Sequence, residues 1–228
     1  MALIQYTQEC LDTSEGLWPA ANAPVPAGAG SRPRSIRVFK AGWIEQVFGK
    51  AHPITPILWF GLPIAYGLAT GARRYGVVGA VGLFLGGWLA WTLMEYLLHR
   101  YFFHMTASTP AGRFRSFMVH GYHHEFPEDG MRLVAPPLMS WPLAVVTATL
   151  YYAVLGPNSF FTVLAGTMTG YIAYDWIHYY THHAHPRRGV GKWLRAYHLR
   201  HHFQDHHTRY GVSSPLWDVV LGTYRPNT

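Results

Sequence analysis

The sequence has one cysteine, Cys10, which excludes an internal disulfide and any cysteine-based metal site. Acidic residues are scarce as well, with 11 Asp and Glu against 18 Lys and Arg. Such a basic balance suits nucleic acid or an anionic membrane surface. Charge of either sign is missing from several long apolar runs, and those runs favour the membrane, so no nucleic-acid partner is expected. Met1 to Glu15 lacks both the basic and the apolar region of a signal peptide, so none is expected.

Proline, alanine and glycine dominate Trp18 to Gly30, a composition that buries too little surface to offset its own ordering entropy. Residues 1–36 are therefore read as a flexible tail and 37–228 as one membrane domain. Val38 to Phe48, basic and partly aromatic, suits a helix lying on the membrane surface. Four apolar segments follow, at about 54–70, 76–98, 137–155 and 159–177. A core of roughly 30 Å needs about 20 residues to cross it. Pro56 and Pro63 make the first segment a kinked or shallow one, and Gly156-Pro157-Asn158 joins the last two as a hairpin. The predicted fold is thus an all-α integral membrane protein of two transmembrane helical hairpins, with a helical cap formed by 99–136 and 178–228.

Lys and Arg are concentrated in the N-terminal stretch, the middle loop and the C-terminal region, which places all three on the cytoplasmic side. Arg73 and Arg74, in the turn of the first hairpin, run against that rule.

Histidine is the residue in excess, at 15 of 228. Four clusters carry the signal: His99 and His104; His120, His123 and His124; His178 and His182 with His183; and His198, His201 and His202. Neutral imidazole is a common transition-metal ligand. Residues at i, i+3 and i+4 share a helical face, so each triplet can point at one place. His99 and His104 diverge by about 140° on an α-helix; they reach two metals, or one of them follows a helix end. Two, three, two and three ligands suit two metals with about five protein ligands each, leaving positions open for oxygen or water. His183 is turned away from His182, and His52, His185, His206 and His207 are expected outside the ligand set. Glu95 and Asp175 are placed to accept a ring N–H and fix a ligand tautomer. All-nitrogen ligation suits Fe, Zn, Cu or Ni. The predicted topology brings every cluster to one membrane face, at helix ends, whereas a metal transporter would place ligands near the midplane. A membrane metal store stays open beside an enzyme.

The four histidine segments, 99–104, 120–124, 175–183 and 198–202, resemble the histidine boxes of the membrane fatty acid hydroxylase and sterol desaturase superfamily. Met131 to Pro137 and Gly211 to Asp218 extend the likeness toward the fatty acid 2-hydroxylases, and it covers about 80 to 225. The resemblance implies a di-iron centre that splits O2 and inserts one oxygen beside the carboxyl group of a fatty acyl chain; zinc can occupy such a site in isolated samples. The boxes leave open a sterol or another lipid as substrate, and desaturation as the reaction. The short tail leaves no room for the cytochrome b5 domain of many eukaryotic members. The resemblance then implies a separate electron donor, of cytochrome b5 or ferredoxin type. Tyr179, Tyr180, Trp176 and Arg132 are candidates to hold the lipid's polar head.

Overall fold

The computed structural model describes residues 4–16 and 34–226, and the Pro/Ala/Gly stretch lies outside that range. Two long apolar helices, α3 (Thr55–Leu97) and α6 (Pro137–His183), form the body, and each is broken at one glycine. Gly76 has φ 68° and Gly156 has φ 71°. A side chain resists that left-handed region and glycine does not, so both long helices fold back there. Contacts with α6 show the fold-back in α3: Phe60 and Trp91 both pack edge-on against Tyr171, at 5.7 and 5.2 Å. In α6, Tyr151 reaches Thr167 across the same kind of turn, at 3.1 Å. The four arms overlap the four apolar segments read from the sequence, the first running on past 70 to the Gly76 break and the fourth past 177 to His183. Pro63 sits inside the first arm without ending it.

The arms pack through small residues. A Cβ on Gly87 would collide with the Val163 carbonyl oxygen, and Thr167 donates to the Gly87 carbonyl at 2.9 Å. Close backbone approach of this kind is how helices associate where no hydrophobic force drives them together. The outer faces stay apolar: Leu62 is 82% exposed, Val78 88% and Val154 71%. Both helices are long and apolar enough to cross a membrane, and only 17% and 11% of their most apolar windows are buried. The core helix of a soluble protein would bury that surface.

The remaining elements gather at the end away from the glycine turns. They are α1 (Gln8–Gly16), α2 (Gly42–Val47), α4 (Pro110–Ser116), α5 (Tyr122–Glu125), α7 (Gly189–Phe203) and α8 (Leu216–Val220). The described residues contain no β-strand beyond an isolated bridge between Tyr6 and Phe39. Residues 4–16 correct the reading of 1–36 as a tail. Cys10 is fully buried among Ile36, Val38, Phe39 and Phe117, so the packing of α1 supplies the apolar burial that the tail composition as a whole lacks.

Candidate metal centre

The residues after α3 leave the α-helical path. Leu98–Phe103 winds as a π-helix, with the His104 amide bonded to the His99 carbonyl at 3.2 Å. The i→i+5 bond of π winding brings His99 and His104 onto one face, removing the 140° divergence an α-helix imposes. A second π turn, Phe117–Gly121, leads into α5 and delivers His120.

Ten histidines form two groups of five whose ligand atoms lie within 4.8 Å of one another: His99, His104, His120, His124 and His201, and His123, His178, His182, His198 and His202. The expectation that each triplet points at one place needs correcting. His123 leaves His120 and His124 for the second group, and His201 leaves His198 and His202 for the first. Each triplet therefore straddles both groups, so the Phe117–Gly121 turn with α5, and helix α7, tie the groups together. The groups abut where His124 stacks on His202, rings 4.0 Å apart.

Their nitrogens have the spacing of a coordination shell. In the first group Nε2 of His99 lies 3.1 Å from His120 and 3.2 Å from His104, and His201 lies 2.9 Å from His104. In the second, His123 lies 2.9 Å from His178 and 3.1 Å from His202, and His182 lies 2.8 Å from His198. Donors about 2.1 Å from one ion sit roughly 3.0 Å apart at right angles and roughly 3.4 Å apart at tetrahedral angles. The neighbouring donors, 2.8 to 3.2 Å apart, fall close to these figures. The residues fit a transition-metal ion in each group.

Protonation agrees. Burial pushes the His99 imidazole down to about 4 and His182 to about 3. The other eight are lowered well below the ordinary range, first by burial and then by neighbouring imidazoles. Ligation needs neutral imidazole. His99 Nδ1–H donates to the Tyr210 carbonyl at 2.6 Å and His201 Nδ1–H to the Thr208 carbonyl at 2.7 Å, which turns both Nε2 lone pairs inward.

Those carbonyls belong to a C-terminal strap that the sequence did not single out by chemistry. Asp218, fully buried, accepts from the Tyr210 and Gly211 amides at 2.8 Å each and from Thr223 Oγ1 at 2.7 Å. Glu95 accepts from the Val212 and Ser213 amides at 2.7 and 2.8 Å and from the Ser213 hydroxyl. Glu95 thus holds the strap that orients His99 and does not take the ring N–H itself, a correction to its expected role. Asp175 is buried too, but its neighbours are Tyr171 and the Ala135 amide. The only signal for Asp218 was its place at the end of the Gly211–Asp218 stretch.

Arg132 also departs from its expected part. Its guanidinium is 7% exposed and pairs with Glu45 and with Asp129, the latter at 2.8 Å. It also donates to the Tyr122 hydroxyl at 2.8 Å, and Glu45 in turn accepts from the Val38 and Phe39 amides. With both terminal nitrogens paired internally and Nε buried, Arg132 pins the N-terminal segment to the His120–His124 loop and is turned away from any lipid head. Trp176 donates to the Pro53 carbonyl at 2.9 Å. His183 packs tilted against Tyr179 with ring centroids 4.3 Å apart and stands outside both groups; with Tyr179 it lines an open pocket that also includes His52 and Glu128. Tyr180 is 40% exposed, against Gly191. His185 and His207 are exposed, whereas His206 packs its ring 4.8 Å from His124, beside the first group.

A family model for fatty acid hydroxylase matches residues 84–223. A dihydroceramide fatty acyl 2-hydroxylase of Arabidopsis thaliana is 37% identical over 188 residues, 82% of this chain and 79% of that protein. The fatty acid 2-hydroxylase of Rattus norvegicus is 34% identical, over 85% of this chain and 58% of that protein. In three dimensions the chain resembles a solved structure of full-length scs7p in which only the hydroxylase domain is visible. The TM-score is 0.79 at 28% identity, over 98% of this chain and 80% of that one. The chain belongs to the fatty acid hydroxylase family, among relatives named as fatty acid 2-hydroxylases and ceramide hydroxylases.

Proposed function

We propose that the protein is an O2-dependent membrane lipid hydroxylase acting at C2 of a fatty acyl chain. The observation that carries the reading is the convergence of ten neutral imidazoles into two five-nitrogen groups at one end of an apolar helical body. His99, His104, His120, His124 and His201 hold one iron, and His123, His178, His182, His198 and His202 hold the other. When bound, the two irons supply the oxygen activation that C–H oxidation needs. Zinc lacks redox chemistry, so a zinc-loaded sample is inactive in this reading.

The protein's own residues do the rest. The four arms cross the bilayer, with the histidine end on the cytoplasmic side as the excess of Lys and Arg there supports. A narrow apolar crevice lined by Phe60, Trp91, Met94, Leu143, Met168 and Tyr171 lies within the membrane, about two helical turns from His99 and His178. Its apolar lining would exclude water from the path of an acyl chain that opened it. Inserting one oxygen atom and reducing the other to water consumes two electrons and two protons. A separate donor of cytochrome b5 or ferredoxin type supplies the electrons, docking on the basic surface of the cap.

Lipid mass spectrometry of cells with and without the protein tests the assignment. The expected result is a +16 Da shift placed at C2 of acyl chains, which disappears with His201→Ala. An oxygen placed elsewhere on the chain, or on a sterol, moves the protein to another substrate class of the superfamily. An unchanged lipidome with altered cell metal content favours a metal store.

A further inference from the structure

We infer that α8 and the strap leading into it dip into the lipid layer, forming a C-terminal membrane anchor beside the first histidine group. The inference rests on the reading of the four arms as membrane-spanning. Trp217 Nε1 donates to Thr92 Oγ1 at 3.0 Å, and Thr92 lies about 16 residues past the Gly76 turn. At 1.5 Å per residue that is roughly 24 Å from the turn, along a core roughly 30 Å thick. Starting the core at the turn puts Thr92 about 6 Å inside its histidine-side boundary, and starting it later puts Thr92 deeper. Trp59 sits at a matching level on the first arm, about 17 residues before Gly76, so Trp217 joins it in an aromatic belt of the kind that marks the interface.

The surface of α8 fits that depth. Val219 and Val220 are each 59% exposed, Leu216 44% and Leu221 43%, whereas its acidic residue, Asp218, is turned inward and fully buried. Water is a poor solvent for four adjacent apolar side chains. On the Thr92 face of α3, Leu89 and Leu85 lie one and two turns farther toward the Gly76 break and are 52% and 56% exposed, so an apolar flank runs on from the level of Trp217 toward the middle of the core. A short apolar helix held at the headgroup–acyl boundary is an interfacial anchor. The same strap carries the carbonyls of Thr208 and Tyr210 that orient His201 and His99.

Spin labels test this in the full-length, metal-loaded protein in lipid nanodiscs, in a Cys10→Ala background. Labels are placed at Val219→Cys and Val220→Cys on α8, at Leu62→Cys on the outer face of α3, and at Val190→Cys on α7, which is 73% exposed. Power saturation with oxygen and with a water-soluble nickel chelate reports lipid or water contact at each label. The expected result is oxygen-dominated relaxation at 219, 220 and 62 and nickel-dominated relaxation at 190. Nickel-dominated relaxation at 219 and 220 with 62 still in lipid overturns the anchor and leaves the membrane reading standing. Nickel-dominated relaxation at 62 as well overturns both. The two α8 labels are independent, so either folded variant suffices.

Discussion

At the scale of single residues, the centre depends on carbonyls and carboxylates as much as on histidines. His201 reaches the first group while its neighbours His198 and His202 serve the second, so His201→Ala should lower bound metal and abolish 2-hydroxy lipid together. Asp218 makes a different prediction. Its carboxylate satisfies two amides and a hydroxyl in a fully buried place, and charged hydrogen bonds contribute about 1.5–3 kcal/mol each. Asp218→Ala should lower the unfolding midpoint sharply. It should also loosen the Tyr210 carbonyl from His99, so metal affinity falls although no ligand is removed. Calorimetry and metal titration of the same sample check both. Retained affinity with lowered stability would confine Asp218 to folding. The histidine clusters, ten of whose residues the structure gathers into two groups, were legible in the sequence because of their i, i+3 and i+4 spacing. The strap was not, since a carbonyl that orients a ring leaves no side-chain signature.

At the scale of elements, the sequence exposed the apolar arms and hid the winding of the segments between them. Nothing in His99-Arg100-Tyr101-Phe102-Phe103-His104 forces a π turn by propensity; the turn exists because it brings both rings to one place, a tertiary cause. The sorting of each triplet between two groups was hidden for the same reason, since spacing fixes a face and packing decides what the face meets. The arms themselves depend on close approach. Gly87→Leu should drive the second and fourth arms apart at Val163, lowering thermal stability and the yield of folded protein, while an equivalent change at the exposed Gly82, which meets nothing within 4 Å, should be tolerated. The buried Arg132–Glu45 pair makes a prediction for the N-terminal segment. Removing one partner of a buried pair costs about 3–5 kcal/mol when the other charge is left uncompensated. Here Asp129 still pairs with Arg132, so the cost is smaller and falls mainly on the Val38 and Phe39 amides that lose their acceptor. Glu45→Ala should therefore release residues 36–48 from the histidine loop, seen as faster amide exchange there and at Tyr122. Unchanged protection would mean that apolar packing around Val38 and Phe117 holds the segment by itself.

At the scale of the whole molecule, a body that buries little of its own apolar surface supports a centre that is almost entirely buried. Ten neutral imidazoles in a dry place make the metal-free protein sensitive to acid. Their folded pKa values lie below the unfolded value of about 6.5, reaching about 4 for His99 and about 3 for His182. The unfolded chain thus binds more protons in that window. The associated stability is complete above about pH 6.5 and is lost as pH falls toward those lower values. Denaturation midpoints of chelator-treated protein from pH 8 to about pH 4 should decline across this range, and the metal-loaded form should resist until its ligands are protonated. Two separate five-histidine groups should each hold one metal ion. Metal analysis of iron-reconstituted protein tests this most directly, with wild type measured beside a His99→Ala/His104→Ala variant and a His178→Ala/His182→Ala variant. Wild type should hold two irons per chain and each variant one. A single iron in wild type, or loss of both from either variant with the fold retained, would contradict this.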